Sequence, residues 1–192
     1  MIKYLIDHGA TESQYEYSFV WSLIIAYEER QINEIFIEYL NEQGINDNND
    51  NNKNKNDFYL IDACQYGNMI IIKYLLEHGT DINIGINNSI TPSFTECING
   101  YEYIVKYLVE HGADMNQVEE RYCLSLMAAC LNENETLVKY LVEHGANVNY
   151  KGCYYYQSPL MISCENDNEA LVKYLVEHRV KVNEQDKNEC TP

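Results

Sequence analysis

The chain has 192 residues, 46% of them hydrophobic, only three prolines, and a formal net charge of −17. Such a composition can fold, but it holds no run of about 18 apolar residues able to span a bilayer, and its start lacks the charged-then-apolar order of an export signal. So large an acidic excess repels phosphate backbones and anionic lipid, which sets aside nucleic acid and membrane insertion and leaves neutral or basic protein surfaces as partners.

The chain opens on MIKYLIDHGA, and the phrase returns as FIEYLNEQGI at 36, IIKYLLEHGT at 71, IVKYLVEHGA at 104, LVKYLVEHGA at 137 and LVKYLVEHRV at 171. Gly9, Gly44, Gly79, Gly112 and Gly145 close the first five copies and Arg179 the sixth, at steps of 33 to 35 residues. Self-similarity at that period marks a stack of small units, each unable to bury its apolar face alone. Residues 1–18 read as a partial unit that opens inside its second helix. Residues 19–55 form a divergent unit with Trp21 in its first helix and about two extra residues near its inter-helix turn. The polar tract from Asn46 to Asp57 can bury no apolar area and predicts a mobile finger. Regular units follow at 56–88, 89–121, 122–155 and 156–188, and residues 189–192, ending on Thr191-Pro192, read as the start of another, as if the chain were cut from a longer array.

Within each regular unit two helices are predicted. The first covers Phe58 to Cys64, Thr91 to Cys97, Leu124 to Cys130 and Ser158 to Cys164; Thr91 and Ser158 suit a cap, with Pro92 and Pro159 at the first helical position. The second is short and amphipathic: Ile104, Val105, Leu108 and Val109 share one side, Lys106 and Glu110 the other. Gly112 stands where a left-handed residue ends the helix, and His111 suits the negative helix end.

Thr91-Pro92, Ser158-Pro159, Ala129-Cys130, Gly112-Ala113-Asp114-Met115-Asn116 and Gly145-Ala146-Asn147-Val148-Asn149 give the chain a pattern that resembles the ankyrin repeat family over nearly its whole length. The resemblance implies an all-α, ankyrin-type helix-pair solenoid with short β-turn fingers, and a non-catalytic module that binds a protein on the concave face of fingers and first helices. Two departures stand out. Ile61, Phe94, Met127 and Met161 replace the family's histidine, and Glu133 and Asp167 replace its inter-helix glycine, so lost cap and turn contacts predict looser units.

Sharper chemistry finds little support. Cys64, Cys97, Cys130 and Cys164 recur at 33 or 34 residues, yet equivalent positions in stacked helices lie about 8–10 Å apart, too far for four sulfurs to share one zinc. They read as small buried residues, and seven cysteines in all argue for a reducing compartment, intracellular and cytoplasmic. His8, His78, His111, His144 and His178 occupy one place in the phrase and form a ladder rather than a metal cluster. No glycine-rich phosphate loop and no supported nucleophile–base arrangement is present, so neither a catalytic residue nor a cofactor is assigned.

Contact residues are predicted from the positions that face the groove in ankyrin-like arrays: Gln65 and Tyr66, Ile98 and Asn99, Leu131 and Asn132, Glu165 and Asn166. Glu119, Glu120, Tyr122 and the finger tyrosines Tyr154, Tyr155 and Tyr156 extend the surface, since tyrosine supplies large contact area for little entropy. Tyr4, Tyr39, Tyr74, Tyr107, Tyr140 and Tyr174 read as packing residues on the second helix. The lysines beside them are expected to be offset at i+4, Lys106 by Glu110 and Lys139 by Glu143. A structural spacer, or a regulatory arm of a longer protein, is the alternative function.

Overall fold

A computed structural model describes residues 30–42, 50–85, 91–117, 125–152 and 157–192. Trp21, Glu119, Glu120, Tyr122, Cys123, Cys153 and Tyr154 to Tyr156 lie outside the described residues. Among the described residues there are helices and turns but no strand, as the all-α reading requires. The chain divides into two compact units, residues 1–81 and 82–192.

The first unit contains α1 (Arg30–Glu42), α2 (Asp50–Gln65) and α3 (Met69–Glu77). Phe36 and Leu40 of α1, Leu60 and Cys64 of α2, and Ile71, Ile72 and Leu75 of α3 are buried, and α3 packs on both α1 and α2. The Phe36 ring meets Tyr59 edge-on at 5.3 Å. Asn68 caps α3 by accepting from the Ile71 N–H, while its amide donates to Asn33 Oδ1 at 2.9 Å.

The polar tract departs from expectation here. Helix α2 runs back through it to Asp50, so residues 50–57 belong to a helix and not to a mobile finger. Asn, Asp and Lys each cost only several tenths of a kcal/mol against alanine in a helix, and no proline or glycine interrupts residues 46–66. A helix held by Leu60, Ala63 and Cys64 can therefore extend through a stretch that contains no apolar side chain.

The second unit holds three helix pairs: α4 (Pro92–Asn99) with α5 (Glu102–Glu110), α6 (Ser125–Leu131) with α7 (Glu135–Glu143), and α8 (Pro159–Glu165) with α9 (Glu169–Glu177). The first helices pack in the order α4, α6, α8, and each packs on its own second helix. One core runs through them, from Phe94 and Cys97 through Leu126, Leu137 and Leu141 to Leu160, Leu171 and Leu175.

Caps and turns survive the departures from the family pattern, contrary to the expectation of looser units. Thr91 Oγ1 accepts from the Phe94 N–H at 3.2 Å, and Ser158 Oγ from the Met161 N–H at 3.3 Å. In place of a histidine, Met161 Sδ accepts from the Ser158 N–H at 3.4 Å. Glu133 and Asp167 both adopt φ 53°, in the left-handed region that Gly67 and Gly100 occupy. Their turn bonds match as well: Asn134 N–H reaches the Ala129 carbonyl at 3.0 Å, as Asn68 N–H reaches that of Ala63 at 2.8 Å. What the non-glycine residues add is backbone strain, on the order of 1–2 kcal/mol each.

At the ends of α3, α5, α7 and α9, His78, His111, His144 and His178 each donate Nδ1–H to the tyrosine carbonyl four residues earlier, at 2.7–2.8 Å. Each ring also lies against that tyrosine's ring, centroids 3.9–4.0 Å apart. The histidine ladder is thus a set of helix-end caps that give each tyrosine carbonyl a side-chain donor, beside the backbone N–H that His78, His111 and His144 also donate to it. Its lysine neighbours pair in the direction opposite to that expected. Lys106, Lys139 and Lys173 reach Glu102, Glu135 and Glu169 at i−4, at 4.0, 3.5 and 2.7 Å. Glutamate on the N-terminal side of lysine is the better orientation, because each charge then lies toward the helix end it favours. Lys106 also lies 5.6 Å from the Tyr140 ring centroid and Lys139 5.9 Å from that of Tyr174, linking successive second helices.

Fingers are joined by asparagines at a fixed period. Asn83 donates to the Gly112 carbonyl and accepts from the Asp114 N–H, at 3.3 and 2.7 Å. Asn116 does the same to Gly145 and Asn147 at 3.0 and 2.7 Å, and Asn149 to Arg179 and Lys181 at 3.5 and 2.8 Å. Beyond the last rung, Glu184 meets Lys151 at 3.0 Å and Lys181 at 3.2 Å. The Lys151 hydrogen bond is the main influence holding the Glu184 carboxyl below its ordinary value of 4.5. A depressed carboxyl contributes stability that is present above the unfolded pKa and lost as pH falls through the folded one. Glu184→Gln should therefore melt below the parent at neutral pH, with the gap closing as pH drops below about 4. Parallel thermal melts at pH 7 and pH 3 check this, and a gap that stays constant would refute it.

Candidate functional site

The helix α6 is buried from Ser125 through Cys130 because α4, α7 and α8 all pack on it. Its last residue is not: Leu131 emerges 53% exposed, and the equivalent residue of α4, Ile98, is 48% exposed. Glu165 holds the same place on α8 and is exposed. Because α4, α6 and α8 pack in sequence, these three predicted contact residues line up along one edge of the second unit.

The asparagines next to them do different work. Asn132 donates its amide to the carbonyls of Cys97, at 3.0 Å, and Ile98. Asn166 donates to the Cys130 carbonyl at 3.3 Å. Each amide thereby satisfies carbonyls at the end of the preceding first helix, which have no partner within their own helix. The side-chain oxygens remain as the atoms able to meet a ligand. Asn99 is exposed, and Glu165 accepts from Gln157 Nε2 at 2.5 Å. Gln65 and Tyr66 are exposed in the first unit. An open cavity between α8 and the C-terminal residues includes Met161, Cys164, Glu165, Asp186 and Cys190 in its lining.

Charge is segregated within the second unit. Its first helices and the turns after them, residues 100–101, 132–134 and 166–168, contain no lysine or arginine. They contain exposed Glu133, Glu165 and Asp167. They also contain Glu96, fully buried where the other first helices place Ala63, Ala129 and Ser163. The described lysines of this unit and Arg179 lie on second helices, on fingers or near the C-terminus.

Thiol chemistry is muted where the cysteines recur. Burial pushes the Cys97 thiol up strongly and that of Cys130 up to about 12, and it raises Cys164 as well. Thiolate is the reactive form, so at pH 8 a thiol reagent should modify exposed Cys190 well before Cys64, Cys97 or Cys130. Peptide mapping after brief alkylation checks the order, and early labelling of Cys97 would contradict the packing described above. Among the described residues no group of three or more His, Cys, Asp or Glu side chains is placed to hold a metal ion. No described helix is long and apolar enough to cross a membrane.

The sequence model of a family described as ankyrin repeats, three copies, matches residues 23–119 and 93–186. The chain belongs to the ankyrin repeat family. Ankyrin repeats are generally protein–protein interaction modules and generally non-catalytic. No curated protein matches the chain.

Several residues that hold the ankyrin edge in place were not given this bonding role from the sequence, Asn116 and Asn149 having entered only as letters of the family pattern. Asn83, Asn116 and Asn149 recur at 33 residues, and the caps Asn68, Asn134 and Asn168 recur at 66 and 34. Asn134 and Asn168 accept from the N–H groups of Leu137 and Leu171 at 3.0 Å. Their period was the available signal. Glu96 gave a different one, a charged residue at a small-residue position.

Proposed function

We propose that this chain binds a protein partner through the exposed ends of its first helices and the adjoining fingers, with no chemistry of its own. The supporting observation is the emergence of Ile98 and Leu131 at equivalent points of adjacent packed helices, since neighbouring exposed apolar groups that join into one patch, unlike singly scattered ones, mark contact surfaces. Asn99, Glu165 and the oxygens of Asn132 and Asn166 supply the polar rim, and Gln65 and Tyr66 take the same role in the first unit. Glu119, Glu120, Tyr122 and Tyr154 to Tyr156 complete the proposed surface. The partner presents a neutral or basic face, in keeping with the net charge of −17. The free thiols fit a reducing, cytoplasmic setting.

Partners selected from a displayed protein-fragment library should lose about 2 kcal/mol or more of affinity to Ile98→Ala combined with Leu131→Ala. Val176→Ala on α9, also exposed, should leave binding unchanged. Titration calorimetry with melting controls reads both. Equal binding by the double variant would move the contact elsewhere, and absence of any saturable partner would favour a spacer.

A further inference from the structure

We propose that the partner segment seated on this edge is an arginine-bearing amphipathic helix, with leucine-like anchors over Ile98 and Leu131 and guanidinium groups over the turns that follow α6 and α8. This rests on the reading of the edge as a protein-binding face.

The apolar points set the spacing. Ile98 and Leu131 occupy equivalent ends of adjacent packed helices, whose axes lie about 8–10 Å apart. Seven residues of an α-helix rise about 10.5 Å, so anchors at i and i+7 would follow the two points.

The polar atoms set the chemistry. The amide of Asn132 gives both its hydrogens to helix-end carbonyls and that of Asn166 gives one, so their oxygens are the acceptors these residues keep for a ligand. Beside each stands an exposed carboxylate, Glu133 after Asn132 and Asp167 after Asn166. No lysine or arginine lies on the first helices or turns of this unit to neutralise them or to supply a competing donor. Acceptors and carboxylates outnumber the donors of Asn99, Tyr101 and Asn166 along the edge, so the ligand brings most of the donors. A guanidinium carries five N–H groups in a planar fork and can meet a carboxylate and an adjoining amide oxygen together, whereas an ammonium is a compact, strongly hydrated point charge. Arginine is therefore preferred to lysine, and an acidic segment is rejected by like charge.

The test titrates the full chain into four labelled helical peptides by fluorescence anisotropy. One has leucine and arginine each repeated at seven residues, one has lysine for arginine, one has glutamate for arginine, and one is a scrambled form of the first. The arginine peptide should bind at least about tenfold tighter than the lysine and scrambled peptides, and the glutamate peptide should not bind. Its affinity should fall steeply between about 50 and 300 mM salt, as expected for exposed charge pairs. Glu133→Gln with Asp167→Asn, a pair whose folding is verified by melting, should weaken the arginine peptide about tenfold and flatten that salt dependence.

Equal binding of the scrambled or lysine peptide, or failure of the arginine peptide to bind, overturns the proposal. An unchanged affinity in the carboxylate variant accompanied by a loss in Leu131→Ala overturns the arginine assignment while keeping the binding face. Loss in neither variant removes the face itself from the interaction.

Discussion

Leu141→Ala should lower the stability of the second unit by about 3 kcal/mol, at the middle of the range for emptying a fully packed leucine site. Leu141 is wholly buried within the core that joins α6, α7, α8 and α9. Its carbonyl also accepts the Ala146 N–H at 2.9 Å in the turn that leads to the finger. Relaxation into the cavity is restricted because buried Leu137, Leu171 and Leu175 belong to the same packed cluster. Val176→Ala supplies the contrast: at 48% exposed it should cost less than about 1 kcal/mol. Urea unfolding followed by helix signal reads both substitutions. A Leu141→Ala loss no larger than that of Val176→Ala would mean that the repeats are not held by this shared core.

Periodicity carried most of the fold. The recurring Gly-Ala-Asx step and the i, i+1, i+4, i+5 apolar pattern located the second helices, because a glycine follows each of them except α9, where Arg179 stands in its place. Side-chain direction was less legible. Lys106 has an acidic residue at both i−4 and i+4, and only the placed helix shows it paired with Glu102 at 4.0 Å. Composition misled at the polar tract, where a helix anchored by Leu60 and Cys64 extends over residues that carry no apolar side chain. The same limit applies at the candidate edge: residue type identified Ile98 and Leu131 as apolar points, but the use of the Asn132 amide on the Cys97 carbonyl depends on how α4 and α6 stack. A hydrogen bond across 35 residues leaves no local trace in the sequence.

Besides Glu189 at φ 63°, three described non-glycine residues hold left-handed backbone, all at helix ends or inter-helix turns where a glycine would fit without strain: Glu133 and Asp167 at φ 53° and Arg179 at φ 65°. Such a backbone costs a residue with a Cβ about 1–2 kcal/mol, while glycine returns roughly 0.5–1 kcal/mol through the greater entropy of its unfolded chain. Arg179→Gly should therefore stabilise by at most about 1 kcal/mol, and the three glycine substitutions together by about 2 kcal/mol if they act independently. The bonds beside Arg179 are also the longer ones of their kind. Its helix-ending bond from the Val180 N–H to the Leu175 carbonyl is 3.4 Å, against 2.9 Å for the equivalent bond after Gly112. The finger rung onto its carbonyl is 3.5 Å, against 3.3 Å onto that of Gly112 and 3.0 Å onto that of Gly145. Thermal and urea unfolding of the triple variant and of each single variant check the sum, and an unchanged or lower midpoint for Arg179→Gly would show that the last helix ends without strain. Binding then separates the sites. Glu133→Gly and Asp167→Gly should raise stability while weakening an arginine peptide, because they remove its carboxylates, whereas Arg179→Gly should raise stability and leave that peptide's affinity unchanged.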